Sequence, residues 1–192
     1  MKKIWIILTV IIVVVVLYGI WAINKAVLLD EAVRAEWAQV ENQFQRRYDL
    51  IPNLVETVKG YAEHEQETLT SVVAARAAAT SVPVNVDDSA SMQNYMNAQT
   101  NLGSVLGRLI AISESYPDLK ASENFLSLQS QLEGTENRIA VARHDYIQLV
   151  RKYNTLLRVF PSNIFISIFT SLQPRGVFEV APEVKVVPKV SF

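Results

Sequence analysis

The sequence predicts an all-α protein: an N-terminal transmembrane helix, then an antiparallel, up-and-down, four-helix-like bundle of long helices. Three observations carry that expectation. Ile4 to Ile23 is an uncharged run of 20 residues, 18 of them hydrophobic. Beyond it, apolar side chains recur at steps of three and four through most of the chain, the period of a helix with one buried face. From Phe125 to Phe160 the alternation runs for five heptads without a miss.

The apolar run comes first. Of 192 residues, 50% are hydrophobic and only 19% charged, where an ordinary soluble domain has roughly 25% charged. Without the run, roughly 45% of the rest is hydrophobic, an ordinary globular fraction. Twenty helical residues span about 30 Å, the thickness of a bilayer's hydrocarbon core. In lipid the cost of unpaired backbone groups enforces helix even on a run rich in Ile and Val. Trp5 at one end, with Tyr18 and Trp21 at the other, match headgroup-level aromatic belts, so Ile4, Trp5, Tyr18, Trp21 and Ile23 mark the anchor. A cleaved signal peptide has an apolar core of about 7–15 residues followed by small residues. Trp21-Ala22-Ile23-Asn24 offers bulk there, which favours an uncleaved, single-pass anchor. Lys2 and Lys3 before the run nearly balance Lys25 and Arg34 after it, with a slight lean towards a cytoplasmic N-terminus. The side on which the domain lies is left open.

The next stripe is Val33, Trp37, Val40 and Phe44. Asp49-Leu50-Ile51-Pro52 interrupts it, and a second stripe begins at Leu54, Val55, Val58, Tyr61 and Ala62. Pro52 lacks an N–H and suits a first helical turn, and Asn53-x-x-Glu56 matches a capping box. A kink or a reversal is therefore expected near 49–53, with the second helix continuing through the Ala-rich 74–79 to Ser81.

Val82-Pro83-Val84-Asn85-Val86-Asp87-Asp88-Ser89 is the clearest break. A third helix follows with Leu102, Leu106, Leu109 and Ile110. Its Gly103-x-x-x-Gly107 pair either admits another helix closely or weakens the helix by about 1 kcal/mol per glycine. Tyr116-Pro117-Asp118 ends it. The fourth helix carries the seam Phe125, Leu128, Leu132, Thr135, Ile139, Ala142, Tyr146, Leu149, Tyr153, Leu156 and Phe160, with Thr135 its one polar position.

Helices of roughly 24, 30, 27 and 40 residues make rods of about 36, 45, 40 and 60 Å. They fit an up-and-down bundle if the chain reverses near 49–53, and an even number of helices returns the C-terminus to the membrane side. There Asn163-Ile164-Phe165-Ile166-Ser167-Ile168-Phe169 either lies against the bilayer or packs on the base of the bundle. The Pro- and Val-rich end, Ala181 to Phe192, reads as an extended tail. The expected divisions are an anchor at 1–24, a helical domain at 25–179 and the tail at 180–192.

Chemistry is sparse. With no Cys there is no disulfide, thiolate nucleophile or zinc ribbon. The charge is −1, and without Lys2, Lys3 and Lys25 it is 15 cations against 19 anions, which argues against nucleic acid. His64-Glu65-Gln66-Glu67-Thr68 opens like a zinc-protease motif but has Thr68 where the second ligand must stand. No phosphate-cradling loop and no G-x-S-x-G elbow occurs. No catalytic residue, metal ligand or cofactor site is expected. His64 and His144 read as solvated helix-surface residues. The polar residues that flank the seams are Arg46, Arg47, Asp49, Asn53, Glu56, Glu136, Asn137, Arg138 and Arg143. They are candidates for interhelical or local contacts that fix register, or for a surface that recognises another protein.

The stretch Arg46 to Glu65, RRYDLIPNLVETVKGYAEHE, resembles the signature of the bacterial LemA family almost word for word. Tyr116-Pro117-Asp118-Leu119-Lys120-Ala121, Asn124-Phe125, Thr135-Glu136-Asn137-Arg138-Ile139-Ala140, Tyr153-Asn154-Thr155, Phe160-Pro161-Ser162 and Phe178-Glu179 continue the match in order. The resemblance implies a single-pass protein of the bacterial inner membrane with a helical-bundle domain and no established enzyme activity. It also implies a short external N-terminus and a cytoplasmic domain, opposite to the lean of the lysines. The 80–90 loop, the segment from Ile164 to Leu172 and the tail depart from the family pattern.

The expected function is a membrane-anchored scaffold or adaptor whose partners are membrane lipid, other membrane or envelope proteins, and copies of itself. The rivals are a protein of membrane remodelling or envelope stress that assembles on lipid, and a metal-dependent hydrolase using His64, Glu65 and His144.

Overall fold

The computed structural model describes residues 2–176, and among these every regular element is helical. Six helices follow in order: α1 (Lys2–Lys59), α2 (Gln66–Ser81), α3 (Ser89–Ile112), α4 (Pro117–Lys120), α5 (Glu123–Arg158) and α6 (Ser162–Phe169), with a 3-10 turn at Ser113–Ser115. The tail at 180–192 and the Phe178-Glu179 pair lie outside the described residues.

The first departure from expectation is α1, a single helix of 58 residues that runs through Pro52. The chain reverses at 60–65 and not at 49–53. The apolar stripe explains why. Phe44, Tyr48, Ile51, Leu54, Val55 and Val58 stay in phase across the proline and are all buried, while Pro52 itself faces outward. An interior proline costs about 3 kcal/mol in a helix. Burying four large side chains on the turns around it, at about 1.5–3 kcal/mol each, outweighs that. The turn falls where the stripe lapses: Gly60 and Tyr61 are exposed and Ala62 caps the core, its N–H bonded to the Val58 carbonyl at 2.8 Å. His64 thus sits in a turn, not on a helix.

Cross-helix contacts give the topology. Arg76 Nε donates to the Tyr48 carbonyl at 3.0 Å and Tyr48 Oη to the Ala79 carbonyl at 3.3 Å, so α2 runs antiparallel to α1. Trp37 and Phe44 meet Tyr95 edge-on at 5.9 and 5.6 Å, and Tyr116 Oη bonds Glu65 at 3.1 Å, so α3 ascends beside α1. Trp37 meets Tyr146 at 5.2 Å while Arg47, farther along α1, bonds the earlier Glu136, so α5 descends along α1. This is an up-down-up-down bundle made from the distal part of α1 with α2, α3 and α5. The Asp88 carboxylate caps α3 through the N–H groups of Ala90 and Ser91, and Pro117 occupies the first turn of α4.

On α5 the seam departs from strict heptads after Tyr146. Buried positions are Phe125, Leu132, Thr135, Ile139, Ala142, Tyr146, Val150 and Tyr153; Val150 replaces Leu149, and Phe160 lies beyond the helix, exposed. Tyr153 is again on the expected line, so the difference is confined to one turn, where Val150 is buried and Leu149 only half-buried.

Gly103 and Gly107 of α3 have open space where a Cβ would stand. Replacing both by Ala is expected to raise stability by about 1 kcal/mol each, read as a higher midpoint in thermal unfolding followed by circular dichroism.

Candidate functional site

Three constructions distinguish this bundle. The first is the junction of α6 with the apolar part of α1. The window near the N-terminus of α1 has the length and hydropathy to cross a membrane, and its side chains from Ile4 to Leu17 are exposed. Trp21 is also exposed, Tyr18 and Ile23 half-exposed. Gly19 is buried because the ring of Phe165 lies on it; a Cβ there would stand 2.7 Å from that ring. Tyr18 packs on Phe165 at 5.9 Å and on Trp21 at 5.6 Å. Of the two expectations for Asn163 to Phe169, a helix packed on this chain is observed, and it packs beside the apolar run itself. Phe160, Ile164, Ile168 and Phe169 point outward.

The second is a strap after α6, residues 170–176, laid across the end of the bundle near the apolar run. The Asn154 side chain holds it by two bonds, Nδ2 to the Arg175 carbonyl and Arg175 N–H to Oδ1, both 2.9 Å. Tyr153 Oη donates to the Gln173 carbonyl at 3.0 Å. Arg175 places its guanidinium on Asp30 of α1, Nη2 to Oδ1 at 2.5 Å and Nε at 3.2 Å, and Arg34 Nε bonds the other oxygen at 3.1 Å. Arg175 also pairs with Asp87 of the α2–α3 loop. Gly176 lies against Ser89, where a Cβ would come within 3.1 Å of the Ser89 Cα. One strap thus ties α1, α5 and the start of α3.

Burial pushes the Asp30 carboxyl up, but the bonds and charges of Arg175 and Arg34 together hold it below its ordinary value. Burial also raises three tyrosines: Tyr95 and Tyr153 strongly, the latter with the Asp30 charge adding, and Tyr146 to about 12. The signs follow by linkage. A lowered carboxyl contributes stability above its unfolded value of about 4 and loses it as pH falls through the folded one; a raised phenol contributes below about 10 and loses it as pH rises further. The melting temperature is therefore expected to be flat near neutrality and to fall below about pH 4 and above about pH 10. Phe substitutions at Tyr146 and Tyr153 should flatten the alkaline limb.

The third is centred on Arg47, whose side chain is 3% exposed. Its Nη2 donates to the Gln99 side-chain oxygen and, at 3.4 Å, to the Gln99 carbonyl; Nη1 bonds Glu136 at 2.9 Å. Gln99 Nε2 in turn donates to Tyr48 Oη, and the guanidinium lies 5.1 Å from the Phe44 ring centroid. Half-buried Arg143 is part of this neighbourhood: burial and then the Arg47 charge push its pKa down, with Glu136 opposing. The network fixes α1, α3 and α5 in register.

The nine polar candidates thus divide. Arg47, Glu136 and Arg143 come together, with Arg47 buried and Glu136 and Arg143 at the half-exposed edge of the network. Arg138 bonds Gln43 across to α1 at 3.2 Å and Thr135 at 2.9 Å, from an exposed position. Arg46, Asp49, Asn53, Glu56 and Asn137 are exposed, with Asp49 bonded by Gln45 at 2.8 Å. Asn53 and Glu56 edge a groove against α5 residues Asn124, Ser127 and Gln131. His64 and His144 are exposed, and among the described residues no three potential metal ligands cluster.

Gly19, Asp30 and Arg175 were absent from the sequence-based candidates. Asp30 carried a legible signal: it falls in phase between buried Ala26 and Val33 on the α1 stripe, where a carboxylate needs a buried partner.

The LemA family model matches residues 36–192. Among similar proteins, Magnetosome protein MamQ 2 of Paramagnetospirillum magneticum is 24% identical over 178 residues, 83% of this chain and 65% of that protein. Magnetosome protein MamQ of Magnetospirillum gryphiswaldense is 24% identical over 157 residues, 72% of this chain and 58% of its own length. Protein LemA of Metamycoplasma hominis is 24% identical over 119 residues, 62% and 52% of the two chains. The chain spans less than two thirds of the length of each of these relatives. The family model begins at Glu36, covers all the helices that pack on α1, and takes in the Arg46 to Glu65 stretch that builds the Arg47 network. Matched over well over half its length, the chain belongs to the LemA family.

Proposed function

We propose that this chain is a membrane-tethered helical scaffold, which holds a rigid bundle at the bilayer for association with other membrane or envelope proteins or with copies of itself, without catalysis. The observation that carries this reading is the continuity of α1, one helix from the apolar run to Lys59. A flexible linker would let the domain sample many positions. A continuous helix transmits orientation from the span to the core, and α6 packed on Gly19 gives the domain a second foot at the same depth.

Two surfaces suit a partner. One is the exposed polar line of α1, Arg46, Asp49, Asn53 and Glu56. The other is the groove between α3 and α5, where Gly103 and Gly107 lie open beside Leu132, Glu136 and Asn137. The test is photocrosslinking in cells from positions 46 and 138, with identification of what is captured. A repeated partner or a self-contact supports the scaffold. A monomer in detergent with no captured protein sinks it.

A second reading, assembly on lipid, draws support from the outward Phe160, Ile164, Ile168 and Phe169. A chain starting at residue 25 should then float with liposomes; failure to float counts against it.

A further inference from the structure

Where α1 emerges from the apolar run, α1 and α5 enclose an open groove of about 610 Å³. Its floor is apolar, with Leu29 and Leu156, and Tyr18 and Trp21 stand at the end nearer the run. Its rim carries Lys25 from α1 and Arg151 and Lys152 from α5. All three cations are exposed, and none has a carboxylate partner among the described residues. Asp30, one residue on from Leu29, is bonded to Arg34 and Arg175. The remaining polar lining, Gln148, Thr155 and Ser162, is uncharged.

We propose that this groove binds one anionic phospholipid: Lys25, Arg151 and Lys152 hold the phosphate headgroup over Leu29 and Leu156, and an acyl chain runs past Val159 to Trp21 and Tyr18. Charge complementarity identifies the head, since three cations line one groove and no carboxylate among the described residues pairs with them. Continuity with the apolar run identifies the tail, because Trp21 and Tyr18 on α1 and Val159 at the end of α5 lead on from Lys25 towards that run. Lys25 and Arg151 stand on different helices and 126 residues apart in sequence, so the site exists only in the folded bundle. Basic pockets between helices at this depth are suited to anionic headgroups in general. The site rests on the reading that α1 is inserted in a bilayer.

The test uses the full chain purified in detergent, with phosphatidylglycerol or phosphatidylcholine titrated in and bound lipid counted by native mass spectrometry. Phosphatidylglycerol should bind at least tenfold more tightly than phosphatidylcholine. The K25Q/R151Q/K152Q variant should lose about a hundredfold for phosphatidylglycerol and little for phosphatidylcholine. R151E, a single change at an exposed position, should lose most of the preference and serves if the triple variant fails to fold. Neutralising Arg46, Lys59 and Arg108, exposed and remote from the groove, should change nothing. Equal affinity for the two lipids, an unaffected R151E variant, or an equal loss in the remote variant would overturn the site. Displacement of the lipid by inorganic phosphate at the same concentration would overturn the lipid in favour of a free anion. Release of the parent chain from membranes by alkaline carbonate would overturn the anchoring itself, a result distinct from insertion without lipid preference.

Discussion

Asp30→Ala is expected to destabilise the protein by about 3 kcal/mol, lowering the melting midpoint by about 6–12 °C. The Asp30 and Arg175 side chains are 8% and 3% exposed, so removing the carboxylate strands a buried guanidinium. The value lies at the lower end of the range for a broken buried pair because Asp87 still faces Arg175. The strap depends on that pair. Limited proteolysis should therefore cut near 170–176 in Asp30→Ala while the rest of the bundle stays protected. Asp30→Leu combined with Arg175→Leu should recover much of the loss, since an apolar replacement of both partners leaves no buried charge unmatched. A double variant as unstable as the sum of the singles would contradict the pairing.

Arg47→Ala is expected to cost about 3 kcal/mol, whereas Arg46→Ala changes stability by no more than about 0.5 kcal/mol. The two arginines are neighbours with opposite surroundings. Arg46 is exposed; Arg47 fills interior space and satisfies Gln99, so its loss leaves a cavity and an unpaired amide oxygen. Glu136 is 44% exposed and can return to water, which keeps the cost below that of stranding a buried charge. Arg47→Met, which refills the volume, should lose about half as much. Chemical denaturation of the three variants tests the order Ala, Met, then Arg46→Ala as the mildest. If Arg46→Ala were the worst, the assignment of the interior network would be wrong.

How much of this was legible varies by residue. Trp37, Val40 and Phe44 were readable as a core stripe, and Tyr146 and Tyr153 as seam, because burial repeats with the helical period and the sequence carries that period openly. Pro52 misled in the opposite direction. As a residue it weakens a helix, and only the in-phase stripe on both sides, buried against α2, α3 and α5, overrides it. The nine polar candidates share one sequence pattern, polar side chains beside apolar stripes. Spacing placed them beside seams but could not separate Arg47 from Arg46, one inside and one outside, since a shift of one position turns a helical side chain by about 100°.

The sequence by itself determined the class of protein: its apolar run, its helical periodicity and its family motifs are local or repetitive features, each readable from neighbours along the chain. The tertiary structure decided where the chain turns, that α6 returns to lie on Gly19, and that Asp30 meets Arg175 across 145 residues. It also brought Lys25 to the same groove as Arg151 and Lys152. Those are pairings between distant segments, fixed by which faces bury together, and no period within a segment encodes the partner that its face will meet.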